Sequence, residues 1–595
     1  MRSKMHPVRT SNAYLRAIPF IFMFQMAVNL VIGAIAYVLR QMAMGALFLK
    51  GRVAVTTGDF TFLFTSWQGW VVIVLGLAML YLYIALELFG TVAYAKHWVA
   101  GERTTIREVL REGIASTRNL LNPFGLLVVI YVAILGPLLG AGSSVSLTAG
   151  LRIPSFIMSV VDATPVFKVI HTVLVALAAL VGFLGVFVPQ CIVFDDMPAW
   201  DAYKRSISIL KENLVNYIFS MLLFNILMVM LGLVIVIALP PVISAAIGAA
   251  MQPSSTRVIS VLLYLLIGVF GTFDIAVGPT FSTLKHSRLY RKYEDGVAEL
   301  PVVPGRSGWL PFAAMSLLVM GLCVPLSFVI DEHFDELFPK SSDVAVIAHR
   351  ACGEEGPENT AEGLEAAVNA GAWGAEIDIQ RTADGAYVVN HDDNFKRVAG
   401  EARAPQEMTL EEIKQLEIRN PDGTPTGVHV STYEQMLEGS RGRLKLFVEL
   451  KGKTADRQMA DDAVRIARDM GMLDQCVFIS LKYDLIKYLE DTYPDVETGF
   501  LEFASFGSNE KLECDYLAME EELASSVLVD DIHEQGKKVL VWTANSKDSQ
   551  KHFLMTKCDA IITDRMTQAS QVRTELETED DIVRAGDYLF QNLFR

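Results

Sequence analysis

The sequence predicts two folds in one chain: an all-α transmembrane bundle over residues 1–335, then a parallel α/β barrel over residues 343–570. Three observations predict this. The chain has 595 residues, more than one ordinary domain holds. Hydrophobic residues make up 52% of it and mean hydropathy is +0.35, both high for a soluble enzyme. The apolar runs lie before about residue 330, whereas short β-rich runs alternate with helical stretches beyond 343.

The bundle comes first. A bilayer core requires about twenty apolar residues in a helix. Stretches of this kind cover 17–39, 68–94, 124–142, 167–193, 217–240, 258–283 and 308–330, giving about seven helices. The N-terminus carries Arg2, Lys4, Arg9 and Arg16, and the run after them is long enough to span and lacks a cleavage site. It therefore reads as a first span rather than a removed signal. Pro240-Pro241 interrupts the fifth stretch, and apolar residues continue to Met251, so an eighth crossing is the competing count.

Lys and Arg set the expected orientation. The second loop holds Lys96, Arg103, Arg107, Arg111 and Arg118; the fourth, Lys204, Arg205 and Lys211; the sixth, Lys285, Arg288, Arg291, Lys292 and Arg306. The alternate loops hold only Lys50 and Arg52, Arg152, and Arg257. The alternation predicts a multi-pass cell-membrane protein with a cytoplasmic N-terminus. Seven crossings then put the C-terminal domain outside the cell, and eight would put it inside. Glu108–Leu121 and Asp201–Leu214 align without gaps, as two copies of one cytoplasmic loop would. Ile106, Leu110 and Ile114 form an i, i+4 stripe beside arginines, the pattern of an interfacial helix. Glu87 and Asp274 fall within spans, where an ionisable group marks a function or a pairing across helices.

After the charged link Asp331–Asp343, strand-like runs recur at 344–349, 375–379, 386–391, 445–450, 476–481, 497–503, 515–519, 538–543 and 559–563. Helical stretches such as 408–417, 455–470 and 482–491 separate several of them. Nine runs compete for the eight places of a TIM-type barrel. Residues 392–444, with Pro405, Pro421-Asp422-Gly423 and Pro425, interrupt the alternation and read as a cap over the mouth. Residues 571–595 read as an acidic C-terminal tail.

The polar residues that punctuate these strands point to chemistry. Alternation puts Glu376 and Asp378 on one face of a strand, and Glu449 and Lys451 on one face of another. Three carboxylates without a cysteine partner suit a hard divalent cation, Mg²⁺ or Ca²⁺, better than zinc. His349 and His391, at two different strand ends, suit a general acid and a general base on opposite sides of a reacting phosphorus. The six cysteines form no Cys-x-x-Cys pair, which excludes a zinc ribbon and argues against a disulfide framework. Cys352 follows His349-Arg350, but spacing gives it no partner base, so it reads as a loop cysteine.

Taken in order, these residues resemble the glycerophosphodiester phosphodiesterases. That family's pattern is His-Arg-Gly, Pro-Glu-Asn-Thr, Glu-x-Asp, Thr-x-Asp-Gly, His-Asp, Glu-x-Lys and a late Trp-Thr. The chain shows His349-Arg350, Pro357-Glu358-Asn359-Thr360, Glu376-x-Asp378, Thr382-x-Asp384-Gly385, His391-Asp392, Glu449-x-Lys451 and Trp542-Thr543. Asp559 to Asp564 is similar to the family's closing strand. Ala351 departs from the pattern, standing where the family has Gly. The first 340 or so residues resemble, in general pattern, a membrane region attached to some bacterial members.

The resemblance implies metal-dependent hydrolysis of glycerophosphodiesters to glycerol 3-phosphate and an alcohol. It implies a cation on Glu376, Asp378 and Glu449, and proton transfer by His349 and His391. Arg350 and Lys451 would offset phosphate charge, Trp542 would line the wall beside glycerol or leaving group, and Pro357 to Thr360 would shape the loop. Attack by the substrate's own glycerol hydroxyl, through a cyclic intermediate, is implied as well. Expected partners are a glycerophosphodiester or lipid-derived substrate and the lipid bilayer. Nucleic acid is excluded, since net charge is −16 and the soluble half has no basic stripe with interleaved aromatics. Two alternatives share the site: lysophospholipid cleavage of the phospholipase D type, favoured by a deep apolar groove, and glycerophosphate-polymer cleavage, favoured by a basic trough. A third is a transporter or sensor whose barrel only binds.

Overall fold

The computed structural model describes residues 7–594, apart from 57–59, 136–151, 254, 298–308, 339–342, 421–422 and 504. Part of the expected third span, Arg306, part of the link to the barrel, and Pro421-Asp422 therefore lie outside the described residues.

The strand-like runs of the second half become a closed barrel. In chain order, after a two-residue strand β1 (Ala54–Val55), the strands are β2 (Ala345–Ala348), β3 (Gly374–Arg381), β4 (Tyr387–Val389), β5 (Glu417–Arg419), β6 (Pro425–His429) and β7 (Lys445–Leu450). Then come β8 (Cys476–Ser480), β9 (Glu497–Glu502), β10 (Phe506–Gly507), β11 (Tyr516–Glu520), β12 (Lys538–Trp542) and β13 (Ala560–Thr563). The order β2-β13-β12-β11-β9-β8-β7-β3 closes through a β2–β3 pairing, and all these neighbours are parallel. Of the nine candidate runs, 386–391 is the extra one. It pairs antiparallel to the far end of β3 as β4, because the turn Thr382–Gly385 reverses the chain. In that turn Ala386 N donates to Thr382 Oγ1 at 2.9 Å, and Gly385 takes a φ of 86°.

Period-two alternation sorts the barrel's side chains. Ile347, Phe447, Ile479, Leu501, Ala518, Leu540 and Ile562 fill the interior. Their neighbours Ala348, Ile377, Val448, Phe478, Phe500, Leu517, Val541 and Ile561 pack outward against the helices. The interruption at 392–444 has a small core of its own, from Phe395, Val398, Met408, Ile413, Ile418 and Val430, with β5–β6 as a hairpin. Of the helical stretches expected there and beyond, 408–417 shrinks to Leu410–Ile413, while Arg457–Asp469 and Tyr483–Thr492 form as read.

Among the described residues of the first half, six helices are long and apolar enough to cross a membrane: Ala13–Phe48, Trp67–Ala100, Pro165–Asp195, Ala199–Met251, Thr256–Asp295 and Trp309–Glu332. The most apolar windows of Pro165–Asp195 and Ala199–Met251 are 0% buried inside the protein, surface that suits lipid and not water. Pro240-Pro241 does not end its helix. The chain passes through a π-helical turn, Val234–Ala238, and runs on to Met251 as one unit. A seventh apolar segment, Pro123–Leu135, is bent by 118° from Ile106–Leu120. Asn122 causes the break by capping the new helix through Gly125 N, with Pro123 at its first turn. The two loops that align in sequence thus differ in form, since Asp201–Leu214 lies within the continuous helix Ala199–Met251.

Contacts sort the helix ends. Far from the barrel, Lys96 Nζ donates to Val193 O, Arg118 pairs with Asp196, and Arg205 with Glu294. At the barrel end, Arg257 pairs with Asp331 and with Asp581. The segment read as a tail is largely helical among its described residues: Met566–Thr578 continues past the barrel and Asp581–Phe594 follows. The last helix is held by Arg257, which pairs with its Asp581, by the fully buried Arg584, whose guanidinium lies 5.7 Å from the centre of the Phe334 ring, and by Tyr588 against Phe338. Within the bundle, Asp274 lies beside Gly232, where a side chain would come within 3.0 Å of its carboxylate.

Candidate active site

The residues expected at the site sit at the C-terminal ends of barrel strands or in the loops after them, where parallel barrels carry function, with His391 just past the antiparallel β4 that follows β3. Glu376, Asp378 and Glu449 project from β3 and β7, paired in register as Asp378↔Glu449. One oxygen of each lies within 4.8 Å of the others, and all three are buried. Lys451 Nζ is 2.8 Å from Asp378 Oδ1 and 2.9 Å from Glu449 Oε2. Burial opposes ionisation of all three acids. Lys451, His391 and Arg350 overcome it at Asp378 and hold that carboxyl well below its usual range. Glu376 is pushed well up by burial and by Asp378 and Glu449, and Glu449, mainly by burial, to about 7. Three carboxyls around one ammonium are over-supplied with negative charge, and a divalent cation matches that donor set.

The two histidines face one another across the mouth, ring centroids 6.5 Å apart. His349 Nδ1 lies 2.7 Å from Asp564 Oδ1, and His391 Nδ1 lies 3.0 Å from Asp392 Oδ1. Each carboxylate fixes its ring and leaves Nε2 free to exchange a proton. Asp564 is pinned in turn by Asn545 Nδ2 at 2.6 Å. Burial raises the Asp564 carboxyl, but His349 and Asn545 outweigh it and hold it below the usual range. Burial pushes His391 down, so its neutral form dominates near neutrality.

The tetrapeptide Pro357-Glu358-Asn359-Thr360 divides its work. Thr360 caps the helix Ala361–Asn369, accepting from Gly363 N at 3.0 Å and donating to Pro357 O at 2.8 Å. Asn359 grips Asp378, donating from Nδ2 to Oδ2 at 2.8 Å and accepting from Asp378 N at 3.2 Å. It does so at a φ of 56°, a region asparagine tolerates better than most residues. Glu358 takes a two-pronged bond from Arg397, at 2.6 and 2.7 Å, and lies 3.6 Å from Arg350. Arg350 N donates to Glu376 Oε2 at 2.8 Å. Trp542 Nε1 donates to Ala518 O at 2.8 Å, which sets the indole among the interior residues near the mouth.

Sequence reasoning did not assign Asp564, Asp392, Asn545 or Arg397 to the site. Asp564 and Asp392 stood in quoted motifs, and a carboxylate beside or opposite each histidine was the available signal. Arg397, in the cap, carried no signal. Cys352 is buried and its thiol is pushed up to about 12 by burial, which removes it as a nucleophile.

Ala351 occupies a left-handed position, φ 75°, where glycine is favoured. Ala351→Gly should leave turnover within about twofold and stabilise the barrel by about 0.5–1 kcal/mol. Urea unfolding followed by tryptophan fluorescence checks it, and destabilisation would show that the buried methyl contributes more than the backbone angle costs.

A TIM-type barrel with a buried acidic trio and two carboxylate-backed histidines at its mouth defines a phosphoric diester hydrolase. The model of the glycerophosphoryl diester phosphodiesterase family matches residues 349–568, and that of the membrane domain of glycerophosphoryl diester phosphodiesterase matches residues 10–292. The chain belongs to the glycerophosphoryl diester phosphodiesterase family, in its membrane-anchored form. A glycerophosphodiester phosphodiesterase of Caldanaerobacter subterraneus is 26% identical over 232 residues, 37% of this chain and 93% of that protein. One of Bacillus altitudinis is 24% identical over 251 residues, 39% of this chain and 99% of that protein. The crystal structure of a glycerophosphodiester phosphodiesterase from Parabacteroides distasonis is 25% identical, with a TM-score of 0.34 over 40% of this chain and 98% of that one.

Proposed function

We propose that this protein hydrolyses glycerophosphodiesters to glycerol 3-phosphate and an alcohol at a membrane surface, with a divalent cation bound by Glu376, Asp378 and Glu449. The observation that carries the reading is the union of that trio with two carboxylate-backed histidines on one barrel mouth. When bound, Mg²⁺ or Ca²⁺ would polarise a phosphoryl oxygen and lower the pKa of a hydroxyl beside it. His391, neutral through burial, takes the proton of the attacking hydroxyl. His349, whose ring Asp564 orients through Nδ1, gives a proton to the departing alkoxide. Arg350 and Lys451 offset charge on the phosphate oxygens, and Trp542 forms the apolar wall. The test is product identity: ³¹P NMR of glycerophosphocholine with the purified protein should show glycerol 3-phosphate. Phosphocholine as product would contradict the reading.

The barrel is proposed to stand outside the cell, with the N-terminus in the cytoplasm. Supporting this, the bundle end that joins Lys96, Arg118 and Arg205 to their partners is remote from the barrel, and the Lys-rich and Arg-rich loops belong to it. The continuity of Ala199–Met251 through Pro240-Pro241 favours seven crossings over eight. Protease added to intact cells should remove the barrel, whereas protection until lysis would place it inside. Lysophospholipid cleavage by the same site is the second reading, favoured by the contact of a mouth loop with the membrane domain through β1 and β10.

A further inference from the structure

Parallel neighbours in a barrel need a crossover, and here it is a helix almost everywhere. Ala361–Asn369 follows β2, Tyr433–Ser440 precedes β7, Arg457–Asp469 follows β7, and Tyr483–Thr492 follows β8. Ser526–His533 follows β11 and Lys547–Leu554 follows β12. Between β9 and β11 the chain crosses in residues 503–515 with no α-helix among the described residues, only β10 and a 3₁₀ turn at Asn509–Lys511.

The uncovered flank is filled from the other half of the chain. Strand β1, in the first loop of the membrane domain, pairs antiparallel with β10, Ala54 opposite Gly507 and Val55 opposite Phe506. Ser508 N donates to Val53 O at 3.0 Å, and Lys511 Nζ lies 5.8 Å from the centre of the Phe48 ring. Ala54 joins the barrel's outer core, whereas Val55 joins a small core with Met44, Leu47 and Phe62 of the membrane domain. The strand is thus buried on both sides, with Ala54, Val55 and Thr56 each at most 4% exposed. Gly507 is what permits the approach. Its φ is 150°, and a side chain there would meet the Ala54 Cα at 2.4 Å. A two-residue pairing has little stability of its own, so these two cores hold it.

The segment reaches the substrate side of the mouth. It leaves from the C-terminal end of β9, and Asn509 Nδ2 folds it back by donating to Glu502 Oε1 at 3.0 Å and Ser505 Oγ at 2.6 Å. Leu501, the preceding residue, shares the barrel interior with Trp542. β9 lies across the barrel from β2 and β3, which carry His349 and the acidic pair.

We propose that the first membrane-domain loop, Val53–Thr56, serves as the missing cover of the barrel and positions the 503–511 loop, and through Leu501 the Trp542 wall of the substrate site. The membrane domain is then a working part of the barrel and more than its anchor. The effect on substrate rests on the proposed role of Trp542; the docking does not.

The test uses the full chain in lipid nanodiscs, comparing parent with Gly507→Val. Amide exchange across 503–515 should become faster, and KM for glycerophosphocholine should rise at least about tenfold with kcat within about threefold, since the histidines and acids lie opposite. Unchanged exchange overturns the docking, and unchanged KM overturns the positioning. A parent inactive on glycerophosphocholine would count against the proposed reaction, leaving exchange to decide the docking. Should Gly507→Val fail to fold, a Val55→Cys/Phe506→Cys double variant takes its place. Oxidation in membranes should join its two halves, and failure to crosslink overturns the proposal.

Discussion

His349→Ala and His391→Ala should each lower turnover of glycerophosphocholine by at least about a hundredfold, with much smaller changes in KM. Each ring is held by one carboxylate through Nδ1, so Nε2 has a fixed direction into the space between them. Removing either ring removes a proton transfer and leaves the acidic trio intact. The two variants should differ in one respect. With a p-nitrophenyl leaving group, which departs without a proton, the His349→Ala defect should shrink while that of His391→Ala should not. The reverse pattern would exchange the two roles. Asp564→Asn, which keeps the shape but weakens the hold on His349, should cost about ten- to a hundredfold. Steady-state kinetics with both substrates checks all three.

Glu376→Gln and Asp378→Asn should each abolish turnover to within about a thousandth of the parent, while circular dichroism stays that of the folded barrel. The two should part on stability. Burial, and then Asp378 and Glu449, oppose ionisation of Glu376, so a neutral side chain of the same shape suits the metal-free protein. Asp378 anchors Lys451 and Asn359, so its neutralisation leaves a buried ammonium short of a partner, at a cost of about 3 kcal/mol or more. Metal-free Glu376→Gln should therefore unfold at or above the parent's urea concentration, and Asp378→Asn below it. An active Glu376→Gln variant would remove that residue from the cation site.

Much of this molecule could be read from the chain, for identifiable reasons. Glu376 and Asp378 stand two apart on one strand, and Glu449 and Lys451 on another, so local geometry alone aims them together. The strands announced themselves by β-rich runs ending in polar residues, as at Ile347-Ala348-His349. What escaped turns either on the local course of the backbone or on partners far away in sequence. Run 386–391 looks like any barrel strand, and only the reversal at Thr382–Gly385 turns it antiparallel. Pro240-Pro241 looks like a break, but a π-helical turn precedes it and the helix runs on to Met251. Asp564 lies 215 residues from the histidine it orients, and Ala54 lies 453 residues from Gly507, opposite which it pairs. No periodicity carries such pairs. The segment 571–595 read as a tail because its acids are plain, whereas the burial of Arg584 against Phe334, 250 residues earlier, appears only once the last helix docks.

The acidic trio and the two histidines are proposed to form one cation-dependent phosphodiesterase site. Its most direct measurement is glycerol 3-phosphate release from glycerophosphocholine by the full-length protein in nanodiscs, with and without excess chelator. Release that stops with chelator and returns on adding Mg²⁺ or Ca²⁺ is the predicted result, and undiminished release in excess chelator would contradict it.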